Sequence, residues 1–287
     1  MANYNGPPNW GPGKGPNPQQ PQTGQGQQPG QQSQYGSDQR YYGQGQQYGN
    51  QWQNGATMAM PSQATLIETS EVRFFQNVYL WMLSGLLVTA ATALAVYNSN
   101  FRTILLGGTG IWIAIFLVQI GLVMLIGFLS AKVSTMTLRG LFLLYSASVG
   151  VTFSILLVFY PHNVIFKAFL STAAVYGGLS AYGLVTKRSL KGIGTFAYMA
   201  LFGLIVALII NALTRSPMFD YVVSWFGVLV FSVLTAYDHQ KLRVIHAGGF
   251  TDQHAENAMV IMGALTLYLD FMNLFRFIVS ILGASRD

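Results

Sequence analysis

The segment AMVIMGALTLYLDFMNLFRFIVSIL, residues 258–282, is an apolar run with one carboxylate, Asp270, near its middle. About 20 apolar residues are enough for an α-helix to cross the hydrocarbon core of a membrane. A charged side chain at the centre of such a helix costs ~2.5–3.5 kcal/mol on insertion scales, so it faces the bundle interior or a cavity. Asp270 therefore predicts a membrane-spanning helix that has a functional site within it.

A second carboxylate, Asp238, lies in the stretch TAYDHQKL, near the predicted carboxyl end of the preceding apolar run. Ser232 and Thr235 form a polar strip that leads towards it. Consecutive spans are antiparallel and tend to be neighbours, so we expect Asp238 and Asp270 to meet near the cytoplasmic half. Two facing carboxylates can share one proton. Without that proton they attract a cation, and Ca²⁺ prefers such oxygen ligands, although two carboxylates suit transit better than tight storage.

The last apolar run also carries a polar stripe around Asp270. Thr266 precedes Asp270 by four residues and Asn273 follows it by three, so all three side chains lie on one helical face. This stripe predicts packing towards a cavity or other helices. Arg276 lies about a turn and a half from Asp270, on the opposite side, and we expect it to extend to the membrane edge or meet another helix.

Composition places the chain among integral membrane proteins, since 52% of its 287 residues are hydrophobic and only 8% are charged. A soluble domain carries roughly 25% charged residues. The apolar runs predict an all-α fold with seven membrane-spanning helices. These spans are expected at residues 75–97, 104–130, 137–160, 164–185, 193–213, 220–241 and 258–282.

Three regions follow from the same pattern: a tail at residues 1–61, a helical interfacial lead-in at 62–73, and a transmembrane domain at 74–283. The tail contains no Leu, Ile, Val or Phe and is rich in Gln, Gly and Pro. Such a segment cannot bury enough apolar surface to offset its ordering entropy, so we predict that it is disordered.

The distribution of basic residues predicts the orientation. The tail, the lead-in and the second, fourth and sixth connections carry ten lysines and arginines, whereas the opposite side carries four. Short cytoplasmic loops are enriched in such residues. We therefore expect a cytoplasmic amino terminus and, with seven spans, a carboxyl terminus on the outside. The net charge of +6 is interpreted in the same way and not as affinity for nucleic acid.

Signatures of catalysis are missing from the sequence. There is no cysteine, and no His-Glu-x-x-His zinc motif or phosphate-binding loop occurs. The four histidines, His162, His239, His246 and His254, are expected in connections or at span ends, where a solvated side chain is the default. An intramembrane serine protease needs a histidine deep in a span. We therefore predict that the chain is not an enzyme and holds no tightly bound cofactor.

At the two aspartates the chain resembles the transmembrane Bax inhibitor motif family, including its bacterial YccA-like branch. The resemblance covers about residues 72–283. It is carried by TAYDHQKL and GALTLYLDFMNLF, with support from VYLWMLSGLLVTA, FLLYSASVGVTFS and AFLSTAAVYGGLSAYGLVTKRSL.

The resemblance implies a fold in which the last helix is central and six others surround it as two three-helix layers. It also implies a pH-sensitive calcium leak controlled by Asp238 and Asp270 near the cytoplasmic mouth of the pore. Some members carry a latching arginine near the end of span two. This chain has Lys132 there, which could replace it only as a point charge. Some members also have an acid in span two, where this chain has Gln119.

Two other functions are compatible with the sequence. YccA-like relatives are substrates and modulators of a membrane-bound AAA protease, and the unfolded tail would suit such a partner. A proton-coupled transporter is less favoured, since seven spans do not divide into inverted repeats. Because the core resembles bacterial relatives, we expect an inner-membrane location, with the lipid bilayer, protons and calcium as the main partners. The direction of gating and the ion selectivity are left open by the sequence.

Overall fold

The computed structural model describes residues 63–214 and 216–284, which form helices joined by short connections and contain no strand. The predicted disordered tail, residues 1–61, lies outside the described residues. The helices, in chain order, are α1 (Gln63–Tyr97), α2 (Phe101–Leu106), α3 (Thr109–Leu129), α4 (Thr135–Phe159), α5 (His162–Val185), α6 (Lys191–Thr214), α7 (Pro217–Ala247) and α8 (Gln253–Ala284).

Seven of these helices, all except the six-residue α2, are long and apolar enough to cross a membrane. The prediction of an all-α protein with seven spans is therefore confirmed. The first span and the predicted lead-in belong to one helix, because α1 runs without a break from Gln63. The apolar stretch of α1 that fits a membrane begins at Thr69.

The prediction for the second span, residues 104–130, was wrong at its start. Residues up to Leu106 belong to the separate helix α2, and α3 begins at Thr109. Gly107 and Gly108 lie between them, and Gly108 has an extended backbone that precedes the first turn of α3. Two consecutive glycines have low helix propensity, so the chain can leave and re-enter a helix here at little cost.

The prediction for the sixth span was wrong at its end. It was expected to stop at residue 241, but α7 continues to Ala247. Lys241 and Arg243 therefore lie on the helix and not in a connection, and Asp238 lies more than two turns inside the carboxyl end. Charged side chains on final turns reach water along their own stems, so they do not need to end the helix.

The last helix is the centre of the bundle, as expected. In its most apolar window 72% of the residues are buried, against 39% for α7 and 6% for α3. Helices α1, α3 and α4 pack together as one layer, and α5, α6 and α7 as the other. Helix α8 packs against α1 and α4 of the first layer and against α5 and α7 of the second, while α3 and α6 lie at the outer edges.

A close helix crossing fixes the position of α7, which carries Asp238. Gly183 of α5 lies against the backbone of Ala236, where any added Cβ would meet the Ala236 carbonyl oxygen. Gly150 makes a similar approach between α4 and α1, at Thr89. Small residues at such crossings let backbones touch, which drives packing where lipid is as apolar as the side chains.

Candidate functional site

The two predicted carboxylates meet at the interface between α7 and α8. Asp238 is 2% exposed and Asp270 is 4% exposed. Each acts on the other electrostatically, and they are close enough for one protonated carboxyl to donate a hydrogen bond to its neighbour. The geometry therefore brings together the pair that the sequence singled out, inside the helical bundle.

The two carboxylates have different hydrogen-bond partners. The Tyr198 hydroxyl, on α6, donates to Asp238, with the oxygen 2.9 Å from Oδ1 and 3.3 Å from Oδ2. By contrast, Oδ2 of Asp270 is buried and has no hydrogen-bond partner among the described residues. A buried oxygen of this kind is costly unless a proton, a cation or another hydrogen-bond donor meets it. The arrangement favours an ionised Asp238 beside an Asp270 that holds the shared proton.

Both carboxylates line a cavity of about 360 Å³ between α6, α7 and α8, whose lining also includes Tyr198, Thr266 and Asn273. The Thr266 hydroxyl donates to the Met262 carbonyl. The Asn273 amide nitrogen donates to the Leu269 carbonyl. The bond of Thr266 uses its only donor, whereas Asn273 keeps a second N–H, and the side-chain oxygens of both residues remain available as acceptors beside the cavity.

Thr235, also a candidate from the sequence, does not line this cavity. Its side chain is fully buried, and its hydroxyl donates to the carbonyl oxygen of Phe231 in the same helix. Its own carbonyl oxygen lies 2.7 Å from Nδ1 of His239. The structure therefore gives Thr235 a role in helix packing, away from the carboxylates.

The cation beside the pair is Lys241, one turn after Asp238. It acts on both aspartates, and its Nζ lies 5.9 Å from the centre of the Tyr198 ring. Lys132 is exposed in the connection between α3 and α4, and no hydrogen bond or ion pair joins it to Asp238 or Asp270 in the described part of the chain.

Arg276 lies on the side of α8 that faces α3 and α4, away from the pair, as its position in the sequence predicted. Its guanidinium carbon lies 5.4 Å from the ring centre of Phe277. It lines a second cavity, of about 700 Å³, that also contains Asp220 and Gln119. Gln119 donates to the Thr152 hydroxyl and so joins α3 to α4.

The expectation for His239 was wrong. It was placed at a span end with a solvated ring, but the side chain is fully buried, and no residue that the structure describes bonds to its Nε2 atom. The ring packs near Tyr79 and Tyr176, at centre distances of 5.9 and 5.5 Å. The continuation of α7 past residue 241 explains the difference, because it moves His239 inside the bundle. Within the described part of the chain, the one hydrogen bond of the ring joins Nδ1 to the Thr235 carbonyl, and no serine is bonded to it.

The pair offers few protein ligands to a metal ion. Among residues 63–214 and 216–284 no group of three or more His, Asp or Glu side chains lies close enough to hold an ion. Ca²⁺ takes 6–8 oxygen ligands. The carboxylates, the Asn273 and Thr266 oxygens and water could together supply part of such a shell, which fits an ion that passes through.

Sequence reasoning missed Tyr198 and Lys241 as site residues. Tyr198 lies among apolar residues in TFAYMALF, a pattern that says nothing about which neighbour its hydroxyl meets. A signal for Lys241 existed in its spacing of three from Asp238, which places both on one helical face. It carried no weight because the helix was expected to end there.

Known proteins resemble this chain over most of its length. The sequence profile of a family described as inhibitors of apoptosis-promoting Bax1 matches residues 71–287. The inner membrane protein YbhL of Escherichia coli K12 is 38% identical over 217 residues, which cover 74% of this chain and 92% of the relative. A protein of Borreliella burgdorferi is 36% identical over 216 residues, covering 75% of this chain and 93% of the relative. A protein of Deinococcus radiodurans is 37% identical over 232 residues, covering 80% and 97%.

Proposed function

This chain belongs to the Bax inhibitor family of integral membrane proteins, and we propose that it is a pH-sensitive, calcium-permeable leak whose switch is the Asp238–Asp270 pair. The observation that carries the proposal is the buried Oδ2 atom of Asp270, which has no hydrogen-bond partner among the described residues and lies beside a second carboxylate. A proton or a cation would stabilise such an atom, and the exchange of one for the other is the proposed switching event.

The protonated pair carries one negative charge, which Lys241 balances in part. Loss of the shared proton leaves two negative charges in contact at the interface of α7 and α8. They repel each other, which changes the packing of the two helices, and they attract a divalent cation into the cavity. Proton binding and cation binding at the pair are therefore competitive in this account.

A route across the bundle is supported by the relation between the two cavities. Leu269, Asn273 and Phe277 of α8 line both the cavity of the pair and the larger cavity that contains Asp220. These three side chains thus form the partition between the two spaces. We propose that a change in the packing of α7 against α8 opens this partition and lets the ion pass.

The proposed location is a bacterial inner membrane, which is supported by the name of the Escherichia coli relative. The proposed orientation places the amino terminus in the cytoplasm, supported by the excess of basic residues on that side. In this orientation the pair lies in the cytoplasmic half, and the cavity with Asp220 opens towards the outside.

The proposal is tested by calcium flux into proteoliposomes between pH 5 and 8, for wild type, Asp238→Asn and Asp270→Asn. Asparagine imitates the protonated form, so both variants should show at pH 8 the flux that wild type shows at pH 5. Asp252→Asn, which changes an exposed acid outside the site, is the matched control and should keep the wild-type pH dependence. Wild-type flux no greater than that of empty liposomes at every pH would rule out the leak.

Modulation of a membrane AAA protease is the competing function, and it depends on the tail. Deletion of residues 1–61 separates the two. A chain that keeps its pH-dependent flux without the tail supports the leak, whereas loss of protease binding in a chain that never conducted supports regulation. No described contact favours this second function.

A further inference from the structure

We propose that the cavity of about 700 Å³ between α3 and α8 binds a zwitterionic phospholipid whose headgroup contains a phosphate and an ammonium group, as in phosphatidylethanolamine. The cavity has a charged end at Asp220 and Arg276 and an apolar wall on α3. Leu269, Asn273 and Phe277 separate this cavity from the one that contains Asp238 and Asp270. The cavity is also the outer part of the proposed ion route, but lipid binding is measured without flux, so it can be tested whether or not the chain conducts calcium.

One cation and one anion face the charged end, and they are not bonded to each other. The Arg276 side chain is exposed towards the cavity and takes part in no ion pair within residues 63–214 and 216–284, although Asp220 acts on it electrostatically. A guanidinium matches the geometry of a phosphate group, to which it can donate two hydrogen bonds.

The Asp220 carboxylate is held in a fixed position. Asn211 donates to Oδ1 at 2.9 Å and Ser280 donates to Oδ2 at 2.5 Å. Each oxygen keeps a lone pair that can accept from an ammonium group. Separated opposite charges at one end of a cavity complement a zwitterion, whereas an anionic headgroup would place a second negative charge next to Asp220.

The position of the charged end matches the depth of a headgroup. Asp220 lies in the first turn of α7, and Tyr160 directly follows the last residue of α4 at the same side of the bundle. The distance along α8 from Ser280 to the deepest lining residue, Tyr268, is ~18 Å at 1.5 Å per residue. That is slightly more than half of the ~30 Å hydrocarbon core, which is the depth of a single leaflet.

The apolar wall offers a surface for an acyl chain. Phe116, Ile120 and Met124 recur every four residues on α3 and line the cavity. They remain 57%, 41% and 54% exposed. Helix α3 packs mainly against α4, so the protein leaves this face uncovered. An acyl chain along it would be continuous with the bilayer, which gives a lipid an entry path that a soluble ligand lacks.

The experiment uses native mass spectrometry of the delipidated full chain, titrated with phosphatidylethanolamine or phosphatidylglycerol that have identical acyl chains. Wild type should bind phosphatidylethanolamine about tenfold more tightly. Arg276→Gln should weaken both lipids by about tenfold or more, as loss of a charge-assisted contact does. Asp220→Asn should remove the preference for phosphatidylethanolamine, since it removes the partner of the ammonium group.

Two controls make the outcome decisive. Lys167→Gln removes an exposed cation from α5 at the same end of the bundle but outside the cavity, and should change neither affinity. Ile120→Trp fills the apolar part of the cavity from an exposed position and should weaken both lipids, whereas Val118→Trp, at an exposed position on the opposite face of α3, should not.

Three results would overturn the proposal. Equal affinity of wild type for the two lipids would show that the cavity does not select a zwitterionic headgroup. Equal losses of lipid affinity in Lys167→Gln and Arg276→Gln would show that the lipid is attracted by positive charge anywhere on the protein surface and not by this cavity. If soluble phosphoethanolamine displaces the bound lipid while Ile120→Trp has no effect, that result would show that the cavity binds a soluble ligand and not a lipid. If Arg276→Gln does not fold, Asp220→Asn and Ile120→Trp still decide the question.

Discussion

Tyr198 on α6 donates a hydrogen bond to Asp238 on α7, with the phenolic oxygen 2.9 Å from Oδ1. This contact distinguishes the two carboxylates, because no tyrosine hydroxyl donates to Asp270, whose Oδ2 atom has no hydrogen-bond partner in the described part of the chain. A hydroxyl that donates to a carboxylate stabilises its ionised form. Tyr198 therefore determines which member of the pair holds the proton, and it connects the edge helix α6 to the switch.

Tyr198→Phe should move the pH midpoint of calcium flux to higher pH. The substitution removes the donor to Asp238, so the ionised pair is less stable and its proton is lost only at a higher pH. Proteoliposome flux between pH 5 and 8 measures the shift. Tyr182→Phe, at an exposed tyrosine of α5, is the matched control and should leave the midpoint unchanged. An unchanged midpoint in Tyr198→Phe would show that this tyrosine does not influence the protonation of the pair.

Lys241→Gln should move the midpoint in the same direction, because it removes the positive charge that favours the ionised pair. Lys241 is exposed, so the shift should be smaller than that of Tyr198→Phe and should decrease as salt is raised. The same flux assay at low and high salt measures it. Lys132→Gln should have no effect, and a larger effect at Lys132 than at Lys241 would contradict the position that the structure gives to the cation.

Gly183→Ala should destabilise the bundle by about 1–3 kcal/mol, because the added methyl group would overlap the Ala236 carbonyl oxygen of α7 and the neighbouring backbone cannot yield. The midpoint temperature of unfolding in detergent should fall. Gly177→Ala on the same helix, where nothing lies within 4 Å of the added carbon, should leave that temperature unchanged or raise it. Equal effects at the two positions would contradict the close approach of α5 and α7.

Arg243→Met should destabilise the chain more than Glu71→Gln does. Arg243 forms an ion pair with Glu71 at 3.1 Å, with side chains 43% and 31% exposed, and such pairs contribute about 1 kcal/mol or less. Arg243 also donates to the Leu184 carbonyl near the end of α5, at 2.6 Å. Only Arg243→Met loses both contacts. Thermal unfolding at two salt concentrations separates them, since only the ion pair is screened. Equal losses in the two variants would show that the bond to Leu184 contributes nothing.

The sequence predicted the main features of this fold because they depend on composition and helical spacing. Apolar runs of membrane-spanning length identified the seven spans. The high cost of a carboxylate in hydrocarbon identified Asp238 and Asp270, since so few acidic residues occur in the chain. The central position of α8 followed from the family resemblance, and its polar stripe agreed with it.

The features that were missed depend on tertiary contacts or on helix ends. Tyr198 belongs to the site only because α6 packs against α7 with that face inward, and the spacing within α6 does not predict this. His239 was missed because hydropathy falls at Gln240 and Lys241, although the helix continues past them to Ala247. Polar final turns lower hydropathy without ending a helix, so apolar runs underestimate helix length at the membrane edge.

The most direct test of the central claim is infrared spectroscopy of the reconstituted protein, in which a protonated buried carboxyl has its own carbonyl stretching band. We expect one such proton per chain. Its band should disappear in a single step over the pH range in which calcium flux changes, and it should be missing from Asp238→Asn/Asp270→Asn. If the wild-type and double-variant spectra show the same carboxyl bands throughout pH 5 to 8, the pair does not share a proton and the claim is contradicted.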